Sequence, residues 1–120
     1  MDAEELKKRT QIFALNIIRF SKSLPNQDVA GTIGRQLLRC GTSVGANYRA
    51  ACRAKSKADF ISKMKIVEEE CDESLYLLEL LNETQIGNTL SIETLVEEAR
   101  QILSIIVASI RTARCSIQKP

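Results

Sequence analysis

The sequence predicts an all-α protein, an antiparallel up-down-up-down four-helix bundle, and three observations carry that prediction. Apolar residues recur every three to four positions through four long stretches, the spacing that places them on one face of a helix. Gly and Pro are scarce, at five and two, so little interrupts those stretches. The connections between stretches are short, which makes consecutive helices antiparallel neighbours. At 120 residues the chain is long enough for one domain, 1–120, around one core.

The first helix is expected over about Ala3 to Lys22, with Leu6, Phe13, Ile17, Phe20 and Leu24 on its inner face. Pro25 ends it by disfavouring helical dihedrals in the preceding residue. The second is expected from an N-cap at Asp28 to Ala54, with Val29, Ile33, Leu37, Cys40, Val44, Tyr48 and Ala51 inward. Gly31, Gly34, Gly41 and Gly45 fall inside it, each costing up to about 1 kcal/mol relative to Ala. Close approach of a neighbouring helix is the gain expected to offset them. Ser56 and Asp59 stand in the relation of a capping box and open the third helix. Its heptad run is Phe60, Met64, Val67, Cys71, Ser74, Leu78 and Leu81. Asn82 to Thr89 reads as a loop, and the last helix is expected from near Ser91 to about Ser116. Leu95, Ala99, Ile102, Ile106, Ile110 and Ala113 form its inner stripe. Leu103, Ile105 and Val107 add apolar surface on its other sides, which predicts an oligomer interface there.

Composition excludes several classes of protein. Hydrophobic content of 44% with 27% charge is that of an ordinary globular chain. No apolar segment approaches the roughly 20 residues a membrane helix needs, so no membrane partner is expected. The acidic start, Met1-Asp2-Ala3-Glu4-Glu5, leads into no secretory signal. Cys40, Cys52, Cys71 and Cys115 form no C-x-x-C pair and are expected to be small core residues in a cytoplasmic protein. With no His, Ser-His-Asp and Cys-His nucleophile systems are ruled out, as are the Glu-x-x-His ligands of di-iron bundles. Carboxylates one turn apart, Glu69 with Glu73 and Glu68 with Asp72, read as a solvated face rather than a Mg²⁺ site. Neither an enzyme nor a metal or other cofactor is expected.

The charge order along the chain is far from even. Arg35, Arg39, Arg49, Arg53, Lys55, Lys57, Lys63 and Lys65 share their stretch with a single acid, Asp59. From Ile66 to Ala99 the sign inverts, with ten carboxylates and no Lys or Arg. A formal net charge of +2 thus conceals a polarised molecule, and such polarity concerns partners rather than fold. Gln36, Arg39, Ser43 and Asn47 lie near one line of the second helix. They are expected to form a buried polar ladder that fixes helix register.

The blocks Gln36-Leu37-Leu38-Arg39, Gly41 to Ala50 (GTSVGANYRA) and Ser56 to Ile61 (SKADFI) carry a resemblance. Together with Glu68 to Leu75 and Leu77 to Leu81, they resemble the bacterial four-helix-bundle family that includes proteins encoded in intervening sequences of ribosomal-RNA genes. A more distant similarity is to the accessory variability proteins of diversity-generating retroelements. Where many members have an acid followed by Gly after the Asn, this chain has Ala50 and Ala51. The resemblance implies a homo-oligomeric ring, typically a pentamer, and no catalytic residues. It implies nucleic-acid binding only through the retroelement relatives.

The expectation is therefore a non-enzymatic, ring-forming accessory protein that binds RNA or DNA. Arg49, Arg53, Lys55, Lys57 and Lys63 are the candidate contacts, acting on phosphates because the few nearby aromatics, Tyr48 and Phe60, fit the core. The alternative is an oligomeric protein-interaction scaffold, binding itself or another protein, whose opposite charges join neighbouring subunits without nucleic acid.

Overall fold

A computed structural model describes residues 1–118. Four helices follow one another: α1 (Ala3–Ser23), α2 (Asp28–Cys52), α3 (Lys57–Glu83) and α4 (Thr89–Gln118). They run up, down, up, down in a rod of 55 × 22 × 20 Å. α2 packs on α1 and α3, and α3 packs on α4. The fourth seam, between α1 and α4, is much thinner, and the backbones of the diagonal pairs do not approach closely.

Local chemistry explains where each helix begins and ends. Asp2 accepts the Glu5 N–H and caps α1. Gln27, not Asp28, is the N-cap of α2, and its side chain makes no capping bond. Asp28 stands instead in the first turn, where its charge suits the positive helix end. α2 stops at Cys52, two residues earlier than the periodicity suggested, because the N–H groups of Arg53 and Ala54 bond back to Ala50 and Ala51. Ser56 Oγ accepts the Asp59 N–H at 3.1 Å, one half of the expected capping box. The other half is displaced by one residue: the Asp59 carboxylate accepts the N–H of Lys55. α4 starts at Thr89, ahead of Ser91, because Asn88 Oδ1 accepts the Ser91 N–H.

The core runs the length of the rod. Phe13, Ile17, Leu37, Met64, Leu78, Leu81, Ile102 and Ile106 are fully buried. The predicted stripes of α1, α3 and α4 face it almost throughout, with Leu24, Phe60 and Ala113 at its edges. In α2 the stripe is corrected at its start. Val29 is exposed and Ile33 only half-buried, while Ala30 and Gly34 lie inside. Beside Leu24, the end of α1 leaves room for small residues only: a Cβ on Gly34 would stand 3.0 Å from Leu24 Cδ1.

Gly41 and Gly45 are the close-approach positions. A Cβ at Gly41 would fall 2.9 Å from both Ile17 Cγ atoms, and one at Gly45 would fall 3.2 Å from Thr10 Oγ1. Gly31 is different, since only the mobile Arg35 guanidinium comes near. The expectation of helix contact thus fits three of the four glycines. In the α3–α4 turn Gly87 has φ +94° and lies against Phe20, so conformation and space both demand Gly there.

The cysteines divide. Cys40 and Cys71 are buried, Cys52 is half-buried and Cys115 is exposed, so the expectation of four core thiols is corrected for the last. Burial raises the Cys40 thiol and pushes Cys71 up to about 12, which keeps both protonated. No helix among the described residues is long and apolar enough to cross a membrane.

Candidate nucleic-acid interface

The topology gathers cations at one end of the rod. The C-terminus of α2, the N-terminus of α3 and the C-terminus of α4 meet there, beside the N-terminus of α1 with its carboxylates Asp2, Glu4 and Glu5. Lys57 Nζ touches Ser116 Oγ across the α3–α4 gap. Arg49 is exposed and donates to Gln11 Oε1 of α1 at 3.1 Å. Arg53 is the C-cap of α2, and Lys55 lies in the exposed link to α3. Lys63 is set apart from these four. Its ammonium lies 2.6 Å from the Asp59 carboxylate, half-buried. That ammonium, followed by the Lys55 N–H, holds the Asp59 carboxyl below its ordinary range.

Two further cations belong to this end and were not among the candidates from sequence. Arg111 and Arg114, both exposed, face Lys65 across a groove of about 320 Å³ that also includes Glu68 and Val107. They lie some fifty residues beyond the basic stretch, and only the antiparallel return of α4 brings them beside it. Among the described residues, none of Arg49, Arg53, Lys55, Lys57, Arg111 and Arg114 forms an ion pair. The pairs found are made by Lys7, Arg9, Arg39, Lys63, Lys65 and Arg100.

Helix electrostatics sharpen the contrast. Arg49 and Arg53 suit the negative end of α2. Lys57 opens α3, and Lys55 just precedes it, at the positive end of that helix. A cation there is disfavoured, by about 0.3–1 kcal/mol at an exposed terminus. The helix dipole does not account for either lysine, and Lys57 instead spans to Ser116 of α4.

The polar line of α2 does not lock two helices together as a buried ladder. Ser43 Oγ donates to the Arg39 carbonyl and Asn47 Nδ2 to the Ser43 carbonyl, both inside α2, while Gln36 is exposed. These side chains are short enough to satisfy themselves on their own backbone. Arg39 alone crosses, reaching Glu73 at 2.8 Å and Glu70 at 3.4 Å on α3. The Glu73 hydrogen bond, then the charges of Glu73 and Glu70, raise its pKa.

The proposed interface residues of α4 turn out to be partly used inside the chain. Leu103 and Ile105 pack against the core at its margins, and Val107 lines the basic groove. Because α4 lies between α1 and α3, its apolar width is needed to meet both. The more exposed large apolar side chains of the helices lie elsewhere: Ile12, Leu15 and Ile18 on α1, Val29 and Leu38 on α2, Ile66 and Tyr76 on α3, and Leu90 on α4. No group of three or more Cys, Asp or Glu side chains among the described residues is arranged to hold a metal ion.

The described residues form a four-helix rod with exposed cations gathered toward one end. Residues 4–108 match the family described as 23S rRNA-intervening sequence protein, and the chain belongs to that family. It is similar in structure to a protein of unknown function from the S23 ribosomal protein family of Bacteroides thetaiotaomicron VPI-5482. The two share 34% identity over 92% of this chain and 99% of that one, with a TM-score of 0.85. No curated protein matches this chain.

Proposed function

We propose that this chain is a non-enzymatic accessory protein that assembles as a homo-oligomeric ring and binds nucleic acid through its cationic end. One observation carries the reading. Arg49, Arg53, Lys55 and Lys57 converge with Arg111 and Arg114 from three helices without an ion-pair partner among the described residues. Cations in such a cluster repel one another and favour a polyanion that releases counterions on binding. A ring multiplies the cluster by the number of subunits. Tyr48 is buried and Phe60 half-buried, so neither is free to stack on bases. Recognition therefore rests on phosphates and shape.

The test uses the double charge reversal Arg53→Glu with Lys57→Glu, measured by anisotropy on labelled RNA and DNA and by light scattering. The expected result is an assembly of unchanged mass whose affinity falls at least tenfold. Loss of the assembly itself, or wild-type affinity that does not change between about 50 and 200 mM salt, would favour the scaffold in which these charges join subunits.

A further inference from the structure

We infer that neighbouring protomers associate head to tail, the outer face of α1 on one lying against the outer face of α3 on the next. This rests on the ring reading above and names the surfaces that build it. The outer face of α1 presents Ile12, Leu15 and Ile18, which are 46, 41 and 37% exposed. Their mutual spacing of three residues spreads them over roughly a third of the helix circumference. Lys8, Arg19 and Lys22 share that face, and between Leu6 and Gln27 there is no carboxylate at all. The outer face of α3 is the electrostatic counterpart. Ile66 and Tyr76 are 42 and 60% exposed, and Glu69, Asp72 and Glu83 lie exposed around them. Neither apolar set is covered within the chain.

Position on the rod makes the two faces fit. α1 and α3 are diagonal helices whose backbones do not approach closely, so their outer faces point to opposite sides of the bundle. One protomer therefore offers both faces at once, as a heterologous contact requires. Cross-contacts also fix their heights. Gly41 meets Ile17, and the adjacent Cys40 accepts from Ser74 Oγ at 3.2 Å. Gly45 meets Thr10, while Arg39 reaches Glu70 and Glu73. Ile12 to Ile18 are thus level with the segment of α3 between Ile66 and Tyr76. Protomers side by side with parallel axes, as in a ring, bring apolar against apolar and Arg19 and Lys22 toward Asp72 and Glu83, while Lys8 comes level with Lys65 and its neighbour Glu69. The arrangement consumes the cations of α1 and leaves the cationic end of the rod open.

Charge exchange tests it. Arg19→Glu with Lys22→Glu should reduce the mass in light scattering toward the 13.4 kDa of one chain, and so should Asp72→Lys with Glu83→Lys. All four changes in one chain should restore the wild-type mass, because every contact then meets its reversed partner. Leu15→Asp, in the middle of the α1 face, should dissociate the assembly whatever the rim charges. Circular dichroism spectra of each variant at room temperature should match wild type, since every altered side chain is exposed in the protomer, while the dissociated variants should melt lower because they lose the stabilisation of assembly. An assembled wild type whose mass none of these variants changes would overturn the pairing of α1 with α3 but leave the ring reading standing. Failure of the fourfold variant to reassemble while its circular dichroism spectrum matches wild type would do the same. A wild-type chain that is monomeric throughout would overturn both.

Discussion

Each glycine in α2 stands where a missing methyl group has a measurable consequence, and the consequences differ in sign. At Gly31 an added Cβ meets only the end of the Arg35 side chain, which swings away freely. Gly31→Ala should therefore deliver the helix-propensity gain of up to about 1 kcal/mol. At Gly41 the same Cβ would press on Ile17, which is fully buried and has nowhere to move. Overpacking costs about 1–3 kcal/mol, which exceeds the propensity gain. Thermal melts should show Gly31→Ala raising Tm by a few degrees and Gly41→Ala lowering it, at about 3–6 °C per kcal/mol for a domain of this size. Periodicity placed all four glycines correctly inside the helix. It did not distinguish them, because which face of α2 meets α1 is a tertiary fact.

Whole elements show the same division between what a pattern reveals and what packing decides. The stripes of Phe13, Ile17, Met64, Leu78, Ile102 and Ile106 were legible because 3.6-residue periodicity reports a buried face directly. Three boundaries shifted by one or two residues: Gln27 takes the N-cap position of α2 without a side-chain bond, 3₁₀-type bonds end α2 at Cys52, and Asn88 draws the start of α4 forward. The surplus apolar residues of α4 were read as an external face; Leu103, Ile105 and Val107 are half-buried, with one side against the chain's own core or groove. The two neighbours of α4 are unequally close, since α1 barely packs on it. One ion pair does much to hold that thin seam. Arg9 donates through Nε and Nη2 to both carboxylate oxygens of Glu98 at 2.8 Å, half-buried, and also reaches Gln101. Glu98 holds the guanidinium in its charged form. Arg9→Ala should destabilise the chain by about 1 kcal/mol, as a bidentate but partly solvated pair does. Hydrogen exchange should show the loss as faster opening along α1 and the facing turns of α4, with α2 and α3 unaffected. Uniform acceleration across all four helices would mean that the seam is not a separate weak edge.

At the scale of the whole molecule, the charge reversal between Arg35–Lys65 and Ile66–Ala99 was plain in one dimension, and the fold turns it into a three-dimensional separation. The four cations Arg49, Arg53, Lys55 and Lys57 lie where the sequence put them, around the α2–α3 link. Lys63 does not act with them, because the Asp59 that caps the α3 start also neutralises it. Arg111 and Arg114 were invisible as members of the same site, since chain separation hides what an antiparallel return brings together. Their membership has a quantitative consequence. If the α4 end contacts the same polyanion as the α2–α3 link, Arg111→Ala and Arg114→Ala should each weaken binding to RNA and DNA alike, without changing preference among sequences. Each should also make the slope of log K against log salt shallower by about 1 for a duplex. Combined with Arg53→Ala, the losses should add, because phosphate contacts at separate points of one cationic surface are independent. A titration series from about 50 to 200 mM salt on the three single variants and the triple variant measures both quantities. Unchanged slopes for the α4 variants beside a reduced slope for Arg53→Ala would confine the contact to the α2–α3 link, and Arg111 and Arg114 would then face solvent without a ligand.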